Sequence, residues 1–153
     1  MEEYKKVTED IKKKINNLSP ITNNSFIKEL ETFQRNILNF LHIEISLIKI
    51  NNKKLIFDNL EKISLLALNY LTTFTENEYT QIIKENQDLF EKKNNDYGCS
   101  YKDFTLLGLI VRINDKINRI LTIEKKNAMV NEDKCETVND LYNYCIISLT
   151  YRY

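Results

Sequence analysis

The sequence predicts an all-α fold, a single-domain bundle of about six helices. Only two glycines and one proline occur among 153 residues, so the chain is poor in the residues that form turns and break helices. Apolar residues recur at i, i+3 and i+4 along most of the chain, which is the spacing of one face of a helix. A chain of this size can bury one core without disulfides or metal ions as supports.

Three helices are predicted in the N-terminal region, residues 1–74. Asn24 or Ser25 is the expected cap of the second helix. Leu41–Ile50 alternates with the period of a strand, but we assign it to that helix. We expect this region to provide packing partners or a dimer surface, because a helical hairpin with one apolar face cannot bury itself. The predicted spans are 2–17, about 24–48 and 55–73, with inward residues Tyr4, Val7, Ile11, Ile15, Phe26, Leu30, Phe33, Ile37, Phe40, Leu41, Leu60, Ile63, Leu66, Ala67 and Tyr70.

Three more helices are predicted in the C-terminal region, residues 75–153. Thr75 and Glu78 resemble a capping box that opens a helix ending by Gly98. The next helices are expected over 104–123 and from about Asp133 to the C-terminus. Their predicted inward residues are Tyr79, Ile82, Ile83, Leu89, Phe90, Leu107, Ile110, Val111, Ile117, Ile120, Leu121, Val138, Leu141, Cys145, Ile146 and Leu149.

The composition disfavours several classes of protein. The 22 basic and 22 acidic residues cancel, so the chain lacks the concentrated positive charge that binds nucleic-acid polymers. Three cysteines without a C-x-x-C pair, and a single histidine, disfavour zinc sites and disulfides and indicate a reducing compartment. The sequence has no apolar run long enough to predict a membrane span or a secretion signal. The common phosphate-loop, dinucleotide, zinc-hydrolase and nucleophile-elbow motifs do not occur. We therefore expect a cytoplasmic protein.

Glu132, Glu136 and Asp140 form a ladder of carboxylates at i, i+4 and i+8. Helical geometry places them along one side, where like charges repel by a few tenths of a kcal/mol per pair. They could offer hard oxygen ligands to Mg²⁺, which binds through a few carboxylates together with substrate phosphates. They could equally form a solvated helix face that favours the helix N-terminus.

Arg112, Lys116 and Arg119 form a row of basic residues on one side of the preceding helix. Such a row could bind a polyphosphate, since a guanidinium group can form two parallel hydrogen bonds to phosphate oxygens. It could also form salt bridges with the carboxylate ladder across a helical hairpin. The two interpretations are compatible, because a site for metal and phosphate needs both signs of charge.

The segment around Lys93 is the third candidate. Gly98 can end a helix in a left-handed conformation. Asp96 could add a carboxylate, and Tyr97 could stack or form hydrogen bonds. His42 lies among apolar residues and is interpreted as a packing or surface residue.

Three sequence blocks of the C-terminal half occur in an ordered series. They are KNNDYGCS from Lys93, RINDKINR from Arg112 and EDKCETVNDLYNY from Glu132. Together they resemble the nucleotide modification-associated domain family of phages and bacteria, which is related to the MazG-like all-α NTP pyrophosphohydrolases. The resemblance covers roughly residues 85–149 and implies MazG-like helical hairpins. The E-x-x-E helix typical of MazG proteins is not evident.

The resemblance also implies a site. It implies Mg²⁺ and a nucleoside triphosphate, canonical or modified. In such a site, a carboxylate that is not fully committed to the metal could accept the proton of the attacking water, and we assign this role to Glu136. It suggests a homodimer, because related enzymes often build their sites between subunits. Residue by residue, the implied metal ligands are Asp96, Glu132, Glu136 and Asp140, and the implied substrate-binding residues are Lys93, Tyr97, Arg112, Lys116, Arg119, Asn143 and Tyr144.

Two other functions stay open at this stage. One is a non-catalytic helical interaction module that retains the core packing of the family. The other is a homodimeric bundle with a purely structural role. Mg²⁺ and nucleotide would leave the thermal midpoint of such a bundle unchanged, whereas specific binding raises it.

Overall fold

The computed structural model confirms the all-α prediction, with six helices and no strand among the residues that it describes. These are residues 2–15, 18–46, 53–97, 105–126 and 132–153, with side chains described except at 42–46, 53, 96–97 and 132–133. The helices are α1 (Glu2–Lys14), α2 (Asn23–Ser46), α3 (Lys53–Thr75), α4 (Tyr79–Tyr97), α5 (Leu106–Lys125) and α6 (Glu132–Leu149), followed by a 3₁₀ turn at Thr150–Arg152. No helix in the described ranges has the length and apolar character needed to span a membrane.

Helix starts differ from the predictions where a threonine caps the helix. Thr22, rather than Asn24 or Ser25, caps α2, since its Oγ1 accepts the N–H of Ser25 at 3.2 Å. Thr105 caps α5 by accepting the N–H of Gly108 at 3.0 Å. The sequence pattern marks the apolar stripe, but the capping hydrogen bond decides where the helix begins.

The predicted capping box at Thr75 and Glu78 is wrong. Thr75 is the last residue of α3, and its hydroxyl donates to the carbonyl oxygen of Leu71 at 2.5 Å. Helix α4 begins only at Tyr79. The chain reverses between the two helices at Glu76, whose φ of 62° lies in the left-handed region.

All six helices contribute to one buried apolar cluster. Helices α3 and α6 lie against each other at its centre, α5 packs on α6, and α2 covers α3 and α5. Helix α1 lies across α3, α4 and α6. Most predicted inward residues are buried; Phe33, Tyr79 and Leu121 are only partly buried, and Leu89, Leu107 and Val111 are exposed beside the buried stripes.

Candidate functional site

Two cavities lie along the groove between α4 and α6, and Asp140 lines both of them. The acidic cavity, of about 410 Å³, is lined by Leu71, Thr75, Asn77, Ile82, Glu85, Cys135, Glu136, Asn139 and Asp140. The aromatic cavity, of about 340 Å³, is lined by Leu89, Phe90, Lys93, Asp140, Asn143, Tyr144 and Ile147. Five predicted site residues therefore lie in one groove: Lys93, Glu136, Asp140, Asn143 and Tyr144.

Charge is distributed unequally between these cavities. Three carboxylates line the acidic cavity, namely Glu85, Glu136 and Asp140, and its lining includes no lysine or arginine among the described residues. The aromatic cavity has the Lys93 ammonium group beside apolar and aromatic side chains. The groove thus changes from an end with three carboxylates, which attracts cations, to an aromatic end whose lining has one lysine, Lys93, and one carboxylate, Asp140.

Lys116 connects the basic row to this groove. Its Nζ lies 3.2 Å from Oδ2 of Asp140 and 6.0 Å from the ring centroid of Tyr144. The packing of α5 on α6 through Ile113, Ile117 and Ile120 carries Lys116 to the margin of the groove. The salt bridge confirms, for this pair, the prediction that the basic row pairs with the carboxylate ladder. Because Asp140 is half exposed, such a pair contributes at most about 1 kcal/mol to stability.

A network of amide side chains joins α4 to α6 within the groove. Asn86 is buried and exchanges two hydrogen bonds with Asn139, at 2.9 and 3.0 Å. Asn143 donates to Oδ1 of Asn86 and accepts a hydrogen bond from the hydroxyl of Tyr4 at 3.0 Å. The network thereby fixes the spacing of the two helices that form the groove and ties α1 to it.

Two of the remaining predicted site residues lie away from the cavities, and the side chains of the others fall outside the described part of the chain. Arg112 and Arg119 lie exposed on α5 and line neither cavity. The side chains of Asp96, Tyr97, Glu132 and His42, and all of Gly98, lie outside the described residues. The proposed convergence of Asp96 with the carboxylate ladder therefore stays a prediction.

The carboxylates of the groove do not by themselves form a complete metal site. No three His, Cys, Asp or Glu residues in the described ranges form a group that could hold a metal ion. Glu136 and Asp140 nevertheless line one cavity, and Mg²⁺ commonly uses one or two carboxylates with phosphate oxygens and waters. The hard oxygen donors are therefore compatible with Mg²⁺ carried by a phosphate ligand.

Two cysteines, Cys135 and Cys145, belong to the described residues, and both are free thiols. Cys135 lines the acidic cavity, and burial raises its pKa, an effect that nearby Lys134 partly offsets. The raised pKa keeps the thiol protonated at neutral pH, so Cys135 is poorly suited to act as a nucleophile.

A buried lysine is the principal feature that the sequence predictions missed. Lys134 is fully buried in α6, and its Nζ donates to Asn23 at 2.7 Å and to Glu124 at 2.8 Å. The ammonium group also lies 5.3 Å from the ring centroid of Tyr70. Its position was readable, because Lys134 falls four residues before Val138 on the inward stripe of α6.

The C-terminal part of the chain matches the model of a known protein family. Searches of the curated proteins and of the solved structures found no significant match. A family model matches the segment that comprises the end of α4, α5 and α6, in agreement with the resemblance of the three sequence blocks. Residues 93–150 match the family described as Nucleotide modification associated domain 1.

Proposed function

We propose that the groove between α4 and α6 binds a nucleoside triphosphate with Mg²⁺, and that the protein hydrolyses it to a nucleoside monophosphate and pyrophosphate. The observation that carries the proposal is the position of Asp140. Its carboxylate lines both cavities and is held by Lys116. The acidic cavity and the aromatic cavity, which contains Lys93, therefore meet at one side chain.

The mixture of charges favours a metal-bound phosphate over a bare one. A triphosphate placed beside Glu136 and Asp140 would be repelled unless a cation lay between them. Lys116 lies 3.2 Å from Oδ2 of Asp140, and Lys93 lines the adjoining aromatic cavity, so both lysines can neutralise phosphate oxygens of a ligand beside Asp140. A bound Mg²⁺ would neutralise further charge and increase the acidity of a water molecule.

The residues of the groove can be assigned to the steps of hydrolysis. Glu136 is exposed in the acidic cavity and can accept the proton of the attacking water. The water oxygen forms a bond to the α-phosphorus as the bond from that phosphorus to the bridging oxygen breaks. Pyrophosphate leaves with its charge balanced by the lysines. Tyr144 offers an aromatic surface to the nucleoside.

Binding and chemistry can be tested separately. Isothermal titration calorimetry should measure binding of a non-hydrolysable dNTP analogue, with and without Mg²⁺, to wild type, Glu136→Gln and Asp140→Asn. Release of pyrophosphate from the four dNTPs and from base-modified dNTPs should be measured on the same proteins. Asp88→Asn is the matched control, because Asp88 is exposed on α4 and lines neither cavity.

We expect Mg²⁺-dependent binding in wild type and in the control. Asp140→Asn should weaken binding at least tenfold, whereas Glu136→Gln should bind but lose at least a hundredfold in rate, the usual range for a general base. Absence of nucleotide binding would refute the proposal. Binding without pyrophosphate release would support the non-catalytic module instead, and activity that survives both substitutions would place the catalytic site elsewhere.

A further inference from the structure

We propose that Tyr4 of α1 is a positioning residue that fixes the amide of Asn143, and that Asn143 selects the nucleobase in the aromatic cavity. The inference rests on the proposed function and deepens it, because it assigns the base to one of the two cavities. It also gives the first helix a role in a site whose other parts lie in the second half of the chain.

The orientation of the Asn143 amide follows from a backbone group. The Nδ2 of Asn86 donates to the carbonyl oxygen of Ile82 at 2.8 Å, and a carbonyl can only accept. The other atom of this amide group, Oδ1 of Asn86, is therefore the acceptor, and it accepts from Nδ2 of Asn143. Consequently Oδ1 of Asn143 faces Tyr4, whose hydroxyl donates to it at 3.0 Å.

Tyr4 is suited to this role because its hydroxyl donates to Asn143 and its side chain is closely packed. Its side chain is fully buried, and burial raises the pKa of its hydroxyl, which stays protonated. The ring stacks on Phe90, with centroids 4.2 Å apart and planes within 10°. Phe90 also lines the aromatic cavity, so Tyr4 supports both the polar and the apolar part of its wall.

The fixed amide retains free hydrogen-bonding capacity. Asn143 uses one N–H on Asn86 and one lone pair on Tyr4, which leaves one N–H and one lone pair. Because Asn143 is half-buried and lines the aromatic cavity, this donor and acceptor are available to a ligand there. Each of the four bases has a donor beside an acceptor on its pairing edge, but adenine and cytosine have them in the opposite order from guanine and thymine. An amide held in one orientation can therefore distinguish the two groups when the base stacks on Tyr144.

The acidic cavity is unsuited to the base. Its lining includes three carboxylates, which favour a cation and the phosphates that accompany it. A nucleotide spanning the groove would then place its phosphates near Asp140 and Lys116 and its base toward Asn143. Recognition of the base and recognition of the phosphates are thereby separated in space and can be tested independently.

The experiment compares ligands that share phosphates but differ in the base. Dissociation constants for non-hydrolysable analogues of the four dNTPs and for inorganic tripolyphosphate, all with Mg²⁺, should be measured on wild type, Tyr4→Phe, Asn143→Ala and the double variant. Tyr153→Phe is the matched control, because it also removes a tyrosine hydroxyl bonded to α1, at Asp10, but does not contact Asn143. Circular dichroism reports whether each variant is folded.

We expect Tyr4→Phe to reduce the preference among the four bases about fivefold, the effect of one neutral hydrogen bond, and to leave tripolyphosphate binding unchanged. Asn143→Ala should abolish the preference, and the double variant should show the same dissociation constants as Asn143→Ala, because Tyr4 acts through Asn143. A folded Tyr4→Phe with unaltered base preference, or with equal losses for dNTPs and tripolyphosphate, would overturn the inference. If Tyr4→Phe does not fold, the result for Asn143→Ala decides: an unaltered base preference in that variant would overturn the inference. Failure of every ligand to bind wild type would instead refute the proposed function.

Discussion

The Nζ atom of Lys134 lies 2.8 Å from Oε2 of Glu124, and the side chain of Lys134 is completely buried. Asn23 completes the cluster by donating to the other carboxylate oxygen of Glu124 at 2.8 Å. The contact joins α2, α5 and α6 at one point. A buried charge is tolerated only when it is paired and hydrogen-bonded, so each partner depends on the others.

Replacement of Lys134 should therefore be costly. We expect Lys134→Met to lower the free energy of unfolding by about 3 kcal/mol, because it removes the positive charge that pairs with Glu124 and the hydrogen-bond donor to Asn23. Urea unfolding monitored by circular dichroism measures the change. Lys125→Met is the control, since Lys125 is an exposed lysine of α5. Equal, small effects of the two substitutions would show that the cluster is not structural.

Acid should weaken the same cluster. The hydrogen bond from Lys134 is the largest cause that holds the pKa of Glu124 below its ordinary value of 4.5, and Asn23 adds to it. A lowered folded-state pKa stabilises the protein above pH 4.5, and this contribution is lost as the pH falls through the lower value. Urea midpoints of wild type should therefore fall more steeply between pH 5 and 3 than those of Glu124→Gln. Parallel curves would contradict the assignment.

The hydroxyl of Tyr142 offers a stabilising substitution. Tyr142 is fully buried, and its hydroxyl has no hydrogen-bond partner among the described residues. We expect Tyr142→Phe to raise the free energy of unfolding by about 1 kcal/mol, because the desolvation cost of an unpaired hydroxyl is removed. Tyr4→Phe is the contrast: it removes a paired hydroxyl and should lower stability. A loss of stability in both variants would show that Tyr142 has a partner.

Glu76 offers a second stabilising substitution, at the turn between α3 and α4. Its φ of 62° is unfavourable for a side chain with a Cβ atom, and glycine adopts it without strain. We expect Glu76→Gly to raise the free energy of unfolding by about 0.5–1 kcal/mol, measurable as an increase in Tm. Glu78→Gly is the control and should be destabilising, because Glu78 does not have a positive φ. The opposite order would contradict the account of this turn.

Local periodicity was sufficient to predict the helices and most of the core. The stripes at Tyr4, Val7, Ile11 and Ile15 of α1, for example, are buried as predicted, because burial of one helix face follows from the 3.6-residue repeat. Boundaries were less predictable. Thr22 and Thr105 cap the N-termini of α2 and α5, whereas the hydroxyl of Thr75 donates to the carbonyl oxygen of Leu71 within α3. Whether a threonine caps the next helix or bonds within its own helix depends on where the next helix is placed.

By itself, the sequence determined the fold class and the spacing of charges along each helix, since both follow from local geometry. It also indicated, as one of two interpretations, that the basic row of α5 forms salt bridges with the carboxylate ladder of α6; the structure shows which pair does so, Lys116 and Asp140. Only the tertiary structure decided that Tyr4 reaches Asn143, that Lys134 is buried against Glu124, and that Glu136, Asp140 and Tyr144 share one groove. These relationships join residues far apart in the chain, and they depend on how the helices pack, which local periodicity does not specify.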